Sequence, residues 1–287
     1  MTAPLDALVR LSADVDLLPA PSPTLPPATR TNHALVGCDE GWLLVDAGAS
    51  DPATLEALVA LAMRSRAEPL CRILLTHHHP DHVVALRALV EGLRVPVAAH
   101  AETWARIPKA LLPPPDLQET VAGGPWLGVH LHHTPGHAPG HLALETAGGI
   151  LLAGDLVAGL GTILVDPDEG HMGRYIASLE AMAHRRPALA APAHGPHDPE
   201  GTTLLVRTAA HRRLRHQRVL DAVEAQIAGV PATLEAVAAL AYADSPAAPP
   251  ALTLHATLAH LRWAAEAGEV RYHAPDHARS PGWTRSG

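Results

Sequence analysis

The stretch Leu74-Leu75-Thr76-His77-His78-His79-Pro80-Asp81-His82, LLTHHHPDH, places four histidines and an aspartate in six positions directly after an apolar run. The run reads as the end of a short buried strand, Arg72 to Thr76, and Asp81 to Leu93 as a helix, so the cluster lies on the turn between them. In an extended turn His77 and His79 point to one side, with His78 pointing away, while Asp81 and His82 project from the helix start toward a neighbouring point. One metal ion could not use all four comfortably. Two ions could, because each zinc takes three or four N or O ligands at about 2.0–2.2 Å and a catalytic site keeps one position open for water.

Outward from this stretch, Asn32 to Gly37 and Gly41 to Asp46 read as a hairpin turned at Cys38-Asp39-Glu40, with Asp46 ending its second strand. Leu18 to Pro27, LPAPSPTLPP, reads as a loop whose prolines exclude a ladder. A first strand or two is expected within Leu5 to Leu18, and further strands at Val95 to Ala99, Val129 to His132, His141 to Thr146 and Ile150 to Leu152. Helices are expected at Asp51 to Arg66, from the spacing of Leu55, Leu58, Val59, Leu61 and Ala62 behind an Asp51 or Ser50 cap, at Ala101 to Leu111 and near Arg174 to Ala183. This alternation predicts an α/β architecture. From Leu204 the pattern changes to three amphipathic stretches, Leu204 to Ala228, Thr233 to Ala241 and Leu254 to Ala267, then a short strand at Gly268 to Tyr272. The division predicted is therefore 1–203, 204–275 as a small helical, winged-helix-like appendage, and a flexible tail over 276–287.

Composition narrows the function classes. The 287 residues are 47% hydrophobic and 17% charged, enough for a substantial core. A formal charge of -8 argues against a dedicated nucleic-acid binder, which needs a basic face. Asp6, Asp14 and Asp16 interrupt the opening segment where a signal peptide needs an apolar run, and no stretch approaches 18 uncharged apolar residues, so a cytoplasmic location without membrane contact is expected. Cys38 and Cys71 form no CxxC pair and read as isolated small residues.

The distant ligands that a metal pair needs have candidates at predicted strand ends: His137 in TPGH, Asp155 in LLAGD and His194 in APAHG. Imidazole and carboxylate donors without thiolate favour zinc, then iron or manganese. In this order HHHPDH, TPGH, AGD and PAHG resemble the motif series of the metallo-β-lactamase superfamily, over roughly Asn32 to Gly195. The resemblance implies an αββα sandwich in which His77, His79 and His137 hold one metal, Asp81, His82 and His194 the second, and Asp155 bridges them. Asp46 matches an aspartate that supports the ligand loop from behind. LAGD, Gly159 to Thr162, the Tyr175 to Leu179 helix, PAHGP and the C-terminal helices resemble the branch named for beta-lactamase-like protein 2. That branch carries a winged-helix-like appendage and includes RNA endonucleases and carrier-protein thioesterases. Val84-Ala85 stands where glycines are common in the family.

The chemistry implied is hydrolysis with two Zn²⁺, Asp81 orienting or accepting the water proton. Three substrate classes compete. A small-molecule, acyl-carrier or coenzyme A thioester or ester comes first, in a pocket walled by Trp42, Trp126, Leu160, Ile163 and Leu164. Single-stranded RNA comes second, tracked by the basic run His211 to Arg218, and a β-lactam or lactone third. Tyr175, with His171, is a candidate donor to a developing oxyanion, against a packing role; His141 is a strand residue rather than a ligand. A DNA-binding regulator is a fourth class, but Leu254 to Ala267 offers only Arg262 besides His255 and His260, so no DNA contact is expected. The appendage is expected to form a lid or a homodimer contact.

Overall fold

The computed structural model describes residues 8–63, 66–226, 230–275 and 281–286. Two compact units are found, one of residues 1–134, 139–163 and 183–204, the other of 135–138, 164–182 and 205–287. The second unit thus takes in the TPGH histidine and Tyr175 as well as the C-terminal helices.

In the first unit the strands are β1 (Val9–Ser12), β2 (Val15–Pro21), β3 (Arg30–Cys38), β4 (Gly41–Val45), β5 (Leu70–Leu74), β6 (Val97–His100), β7 (Gln118–Val121), β8 (Gly124–Trp126), β9 (Val129–His133), β10 (Leu142–Glu145), β11 (Ile150–Gly154) and β12 (Leu189–Pro192). Among the described residues these make a seven-stranded sheet, β1 to β7 in sequence order, and a five-stranded sheet ordered β12-β11-β10-β9-β8. Alternation along the strands explains the layering. Leu18, Leu35, Leu44 and Ile73 face a core shared with Leu55, Leu58 and Val59 of α1 (Pro52–Met63) and Leu86, Leu89 and Val90 of α3 (Leu86–Leu93). Their neighbours Leu17, Val36, Leu43, Val45 and Leu74 face Leu131, Leu142, Leu144 and Leu152 of the second sheet. The pairings β4-β5-β6-β7 and β11-β12 are parallel. Parallel strands open their carboxyl ends to one side, and the histidine turn leaves that end of β5.

Several expectations change. Leu18 to Pro21 belongs to β2, paired through Pro21↔Arg30; β1 pairs β2 only as far as Leu17, so the prolines sit where no second neighbour asks for an N–H. The hairpin turn shortens to Asp39-Glu40, because Cys38 pairs with Gly41. Asp51 caps α1, accepting from the Ala53 amide at 3.2 Å; the side chains of Leu61 and Ala62 and residues 64–65 lie outside the described ones.

The helix expected over 81–93 is two, α2 (Pro80–Val83) and α3. The Ala85 amide bonds the Ala47 carbonyl at 2.8 Å, and the Ala47 amide bonds that of His82 at 2.8 Å, so the loop after β4 interrupts the helical ladder at Val84-Ala85. Gly48 permits this approach, since a Cβ there would lie 1.6 Å from the Asp81 carbonyl oxygen. The helix expected over 101–111 is a single turn, α4 (Ala101–Trp104), followed by a 3₁₀ turn at Lys109–Leu111; Pro108 drives Ile107 out of helical geometry. Cys38 and Cys71 are not isolated: their sulfurs lie 3.4 Å apart.

The second unit contains most of α5 (Met172–Arg185) and of α6 (Gly201–Glu224), then α7 (Leu234–Ala241), α8 (Pro250–Glu266), β13 (Val270–His273) and β14 (Gly282–Arg285). Thr233 caps α7, its hydroxyl accepting from the Ala236 amide. Val219, Leu220, Val237, Leu261 and Val270 pack together with Trp283. The stretch read as a frayed tail therefore supplies a strand, ordered by the Tyr272↔Trp283 pairing and by burial of the indole. Residues 227–228 of the expected helix, and 276–280 and 287 of the expected tail, lie outside those described, as do residues 5–7 of the expected first strand. No described helix is long and apolar enough to cross a membrane.

Candidate metal centre

Strand ends deliver the residues of the centre. Asp46 follows β4 with φ 66, a left-handed backbone that a non-glycine residue holds only when its surroundings enforce it. Here they do. Its carboxylate accepts from the Thr76 amide at 2.8 Å, the Thr76 hydroxyl at 2.9 and 3.0 Å, and His82 Nδ1 at 2.8 Å. Holding Nδ1–H in this way turns His82 Nε2 toward Asp81 and Asp155, as the nitrogen that a metal at this place would meet. His77 Nδ1 lies 3.1 Å from the Thr76 hydroxyl oxygen, so its Nε2 likewise faces inward, 3.0 Å from His79 Nδ1. That spacing suits two nitrogens sharing one ion at about 2.0–2.1 Å. His79 ends the turn as the N-cap of α2 with φ −64 and ψ 151, and Pro80 starts the helix where its missing N–H costs nothing.

From the second sheet come Asp155, after β11, and His194, after β12. His194 Nδ1 bonds the Arg30 carbonyl at 3.2 Å; its Nε2 lies 3.3 Å from Asp81 Oδ2 and 3.2 Å from Asp155 Oδ1. His82 Nε2 stands 3.5 Å from Asp155 Oδ1 and 3.9 Å from Asp81 Oδ2, too far for a good hydrogen bond, and among the described residues it is buried without one. Donor atoms of His77, His82 and Asp155, and of Asp81, His82 and His194, lie within 4.8 Å of one another.

The electrostatics fit a cation. Burial opposes charge on His82, yet Asp46, Asp81 and Asp155 together hold its pKa well above the ordinary value. Burial is likewise overcome at His194, which Asp155 and Asp81 raise to about 9. Asp81, despite burial, is lowered by His82 and His194. Carboxylates that draw protons onto two buried imidazoles offer the same charge to a divalent ion, whose binding would release those protons. The donors, imidazole and carboxylate without thiolate, suit zinc, iron or manganese.

His137 is buried on the 135–138 loop, its Nδ1 2.7 Å from the Leu164 carbonyl. In the same unit Tyr175 is completely buried, the guanidinium of Arg212 5.4 Å from its ring. Gly136, with φ +136, admits it: a Cβ would lie 2.2 Å from the Tyr175 nitrogen. His78 is half-buried. His141 bonds the Thr134 hydroxyl through Nδ1 at 2.8 Å and accepts from the Asp155 amide through Nε2 at 3.0 Å, so it positions the aspartate's backbone.

Four supporting residues had no role in the sequence reading: Thr76, His141, Asn32 and His33. The Asn32 side-chain amide donates to the carbonyls of Pro192 and Gly195 at 2.9 and 2.7 Å, fixing the His194 loop. His33 bonds the Leu18 carbonyl and receives the Gly48 amide at 2.9 Å; burial lowers its pKa to about 4 despite Asp46. The signal available was a polar residue beside an apolar run: Thr76 and His141 flank β5 and β10, and Asn32 and His33 precede Ala34-Leu35-Val36 within β3. Two expected pocket walls move away: Trp42 is buried at the opposite end of β4 from Asp46, under the Arg66 guanidinium, and Trp126 bonds Glu119 from the edge strand β8. Leu160 is near His194, whose carbonyl accepts the amides of Gly159 and Leu160 at 2.8 and 3.3 Å.

Known proteins resemble this arrangement. Residues 27–194 match the family model described as the metallo-beta-lactamase superfamily. A beta-lactamase-like protein 2 homolog of Drosophila melanogaster is 27% identical over 228 residues, 76% of each chain. A hydroxyacylglutathione hydrolase of Acidiphilium cryptum (strain JF-5) is 30% identical over 203 residues, 65% of this chain and 81% of the relative. The crystal structure of a beta-lactamase domain protein from Burkholderia ambifaria shares the fold with a TM-score of 0.80 at 22% identity, covering 99% of this chain and 95% of that one. Buried carboxylates and imidazoles at the ends of parallel strands, inside a matching family model, make the chain a metal-dependent hydrolase of the metallo-β-lactamase superfamily.

Proposed function

We propose that the chain hydrolyses a thioester or ester carbonyl, with two divalent ions, zinc before iron or manganese, held by His77, His79 and His137, by Asp81, His82 and His194, and by Asp155 between them. The observation that carries the reading is the placement of Asp155 Oδ1, 3.2 Å from His194 Nε2 and 3.5 Å from His82 Nε2, on a chain whose relative is a hydroxyacylglutathione hydrolase. Bound at such donors, divalent ions polarise a carbonyl and lower the pKa of water toward about 7. The protein's own residues do the rest. Asp46 and Thr76 fix the tautomers of His82 and His77, His141 and Asn32 hold the Asp155 and His194 loops, and Asp81 orients the attacking water and takes its proton. Tyr175 is a donor to the developing oxyanion, a contribution of about 10²–10³ in rate; an unchanged kcat in Tyr175→Phe leaves only packing.

The substrate is a small-molecule, acyl-carrier or coenzyme A thioester met in the cytoplasm. Residues 1–203 carry the chemistry, and 204–275 serve as a winged-helix-like appendage for lid formation or a homodimer. RNA cleavage would ask the basic run on α6 to face a phosphate backbone. Arg212 and Arg215 are instead buried, Arg213 bonds Glu180, and Arg218 bonds Asp244, which favours the thioester. The test is zinc-loaded protein against an acyl-thioester, a lactone, a cephalosporin and a fluorogenic RNA, each with and without chelator. Chelator-sensitive thioester turnover is expected; cleavage of the RNA alone would replace the proposal.

A further inference from the structure

His137, the proposed third imidazole of one ion, sits on the loop 135–138, which belongs to the same compact unit as the C-terminal helices. Its Nδ1–H donates to the Leu164 carbonyl at 2.7 Å, which leaves Nε2 with the lone pair that a metal takes. The direction of that lone pair is set by whatever holds Leu164 and the loop. One hold comes from α5, where the Ser178 hydroxyl donates to the Pro135 carbonyl at 2.8 Å. The second is the His171 amide, which donates to the Gly136 carbonyl at 2.7 Å, one residue before the ligand.

The segment that supplies Leu164 and His171 is tied to α8. Residues 166–170 form a tight turn, the Asp168 amide bonding the Asp166 carboxylate at 2.7 Å and the Gly170 amide the Asp166 carbonyl at 2.8 Å. Arg262 of α8 grips this turn by the Pro167 carbonyl and, at 2.9 Å, by the Asp168 carboxylate. His171 follows the turn, and its ring is clamped. Nδ1 accepts the Arg174 amide at 3.2 Å, so Nε2 carries the proton, which it donates to Glu266 at 2.7 Å. With both ring nitrogens engaged, His171 is a clamp rather than a donor to an oxyanion. Arg262 and Glu266 stand four positions apart on α8 and so share a face. Trp263 fixes the helix against the start of α5, where a Cβ at Gly173 would lie 2.5 Å from the indole nitrogen.

We infer that α8 braces a metal ligand: Arg262, through the 166–170 turn, and Glu266, through the His171 ring, are positioning residues that set the direction and tautomer of His137. Resting on the proposed ligand role of His137, this gives the C-terminal helices a part in the geometry of the centre that neither a lid nor a dimer contact asks for. The side chains of Arg262 and Glu266 are 45% and 60% exposed, where ion pairs add little to stability. Their bonds to a main-chain carbonyl and to a ring pinned at its other nitrogen carry direction instead, and an ion senses direction in its ligand.

The test is zinc competition against a chromophoric chelator on the full chain, with the ring ¹⁵N signals of His137 recorded on the metal-free protein. In Arg262→Ala/Glu266→Ala one of the two ions should be held about tenfold more weakly, and His137 should pass from the Nδ1–H tautomer to a mixture of both. Glu266→Gln keeps an acceptor for the His171 ring and should behave as the wild type. A role confined to stability would lower the Tm of the alanine variant and leave affinity and tautomer as they were; that result would overturn the inference, as would an equal loss in Glu266→Gln. His137→Ala, run alongside, separates a failed brace from a failed ligand. If it holds both ions as tightly as the wild type, the ligand reading fails, and the ring signals of the alanine variant decide the brace alone.

Discussion

Two buried groups of histidines in this protein have opposite surroundings. His82 and His194 stand among Asp46, Asp81 and Asp155, which raise their pKa values against the pull of burial. His260 is lowered by burial first, with His216, Arg212 and Arg215 adding to it, and burial also lowers His216, although Glu269 bonds it and opposes the shift. The residue type is the same in both places, but three carboxylates outweigh burial at the first, whereas burial prevails at the second. Imidazole content alone therefore says little about metal binding. His33 is the internal control: close enough to feel Asp46, it is still lowered to about 4, because burial outweighs one carboxylate.

The largest expected effect comes from removing the carboxylate shared by the first group. Asp155→Asn should abolish turnover and lower the metal content below two ions per chain, with circular dichroism unchanged, since a core of this size does not depend on metal to fold. Two tightly held ions in that variant would break the comparison. Asp46→Asn leaves every proposed ligand in place but loosens the His82 tautomer, and a loss of about 10- to 100-fold in kcat or metal affinity is expected. Arg215→Met sharpens the contrast from the other side. It removes the bonds to Asp244 and the Ala241 carbonyl and the contact with the Tyr242 ring, which should destabilise by about 1–3 kcal/mol in denaturant titration, while metal analysis still finds two ions per chain.

The pH dependence follows from His33. Its folded pKa of about 4 lies below the unfolded 6.5, so the unfolded chain takes up the proton first as pH falls. Stability is then complete above about pH 6.5 and is lost toward pH 4, by at most about 3 kcal/mol from this group. Urea titrations of His33→Gln should show a shallower decline over that window. The smallest effect is expected from His78→Ala, which should keep most of the activity; loss equal to that of His79→Ala would show that the turn presents its side chains differently.

The cluster at 77–82 was legible as a cluster because it is local: the apolar run, the turn and the helix start are contiguous, and each candidate's neighbours in sequence place it at a strand end. Gln118 to Val121 and Gly124 to Trp126 were not legible as strands. The first is only four residues long and the second contains Gly and Pro, and both are stabilised by edge positions that only sheet order supplies. The break at Val84-Ala85 depends on hydrogen bonds from Ala47, 38 positions away in the chain from Ala85, which no helical periodicity contains. Arg212 and Arg215 read as part of a charged surface run until their partners on other segments were known.

By itself the amino-acid order determined the donor types, their strand-end spacing and the α/β alternation, because these depend on residue chemistry and on periods of 2 and 3.6. Tertiary structure alone decided which imidazole nitrogen faces inward, which histidine meets carboxylates and which meets guanidiniums, and which prolines a strand tolerates. Several of these are set by groups distant in the chain, as Asp46 and His82 are. Electrostatic and hydrogen-bond energies depend on distance in space, and the chain order does not contain that distance.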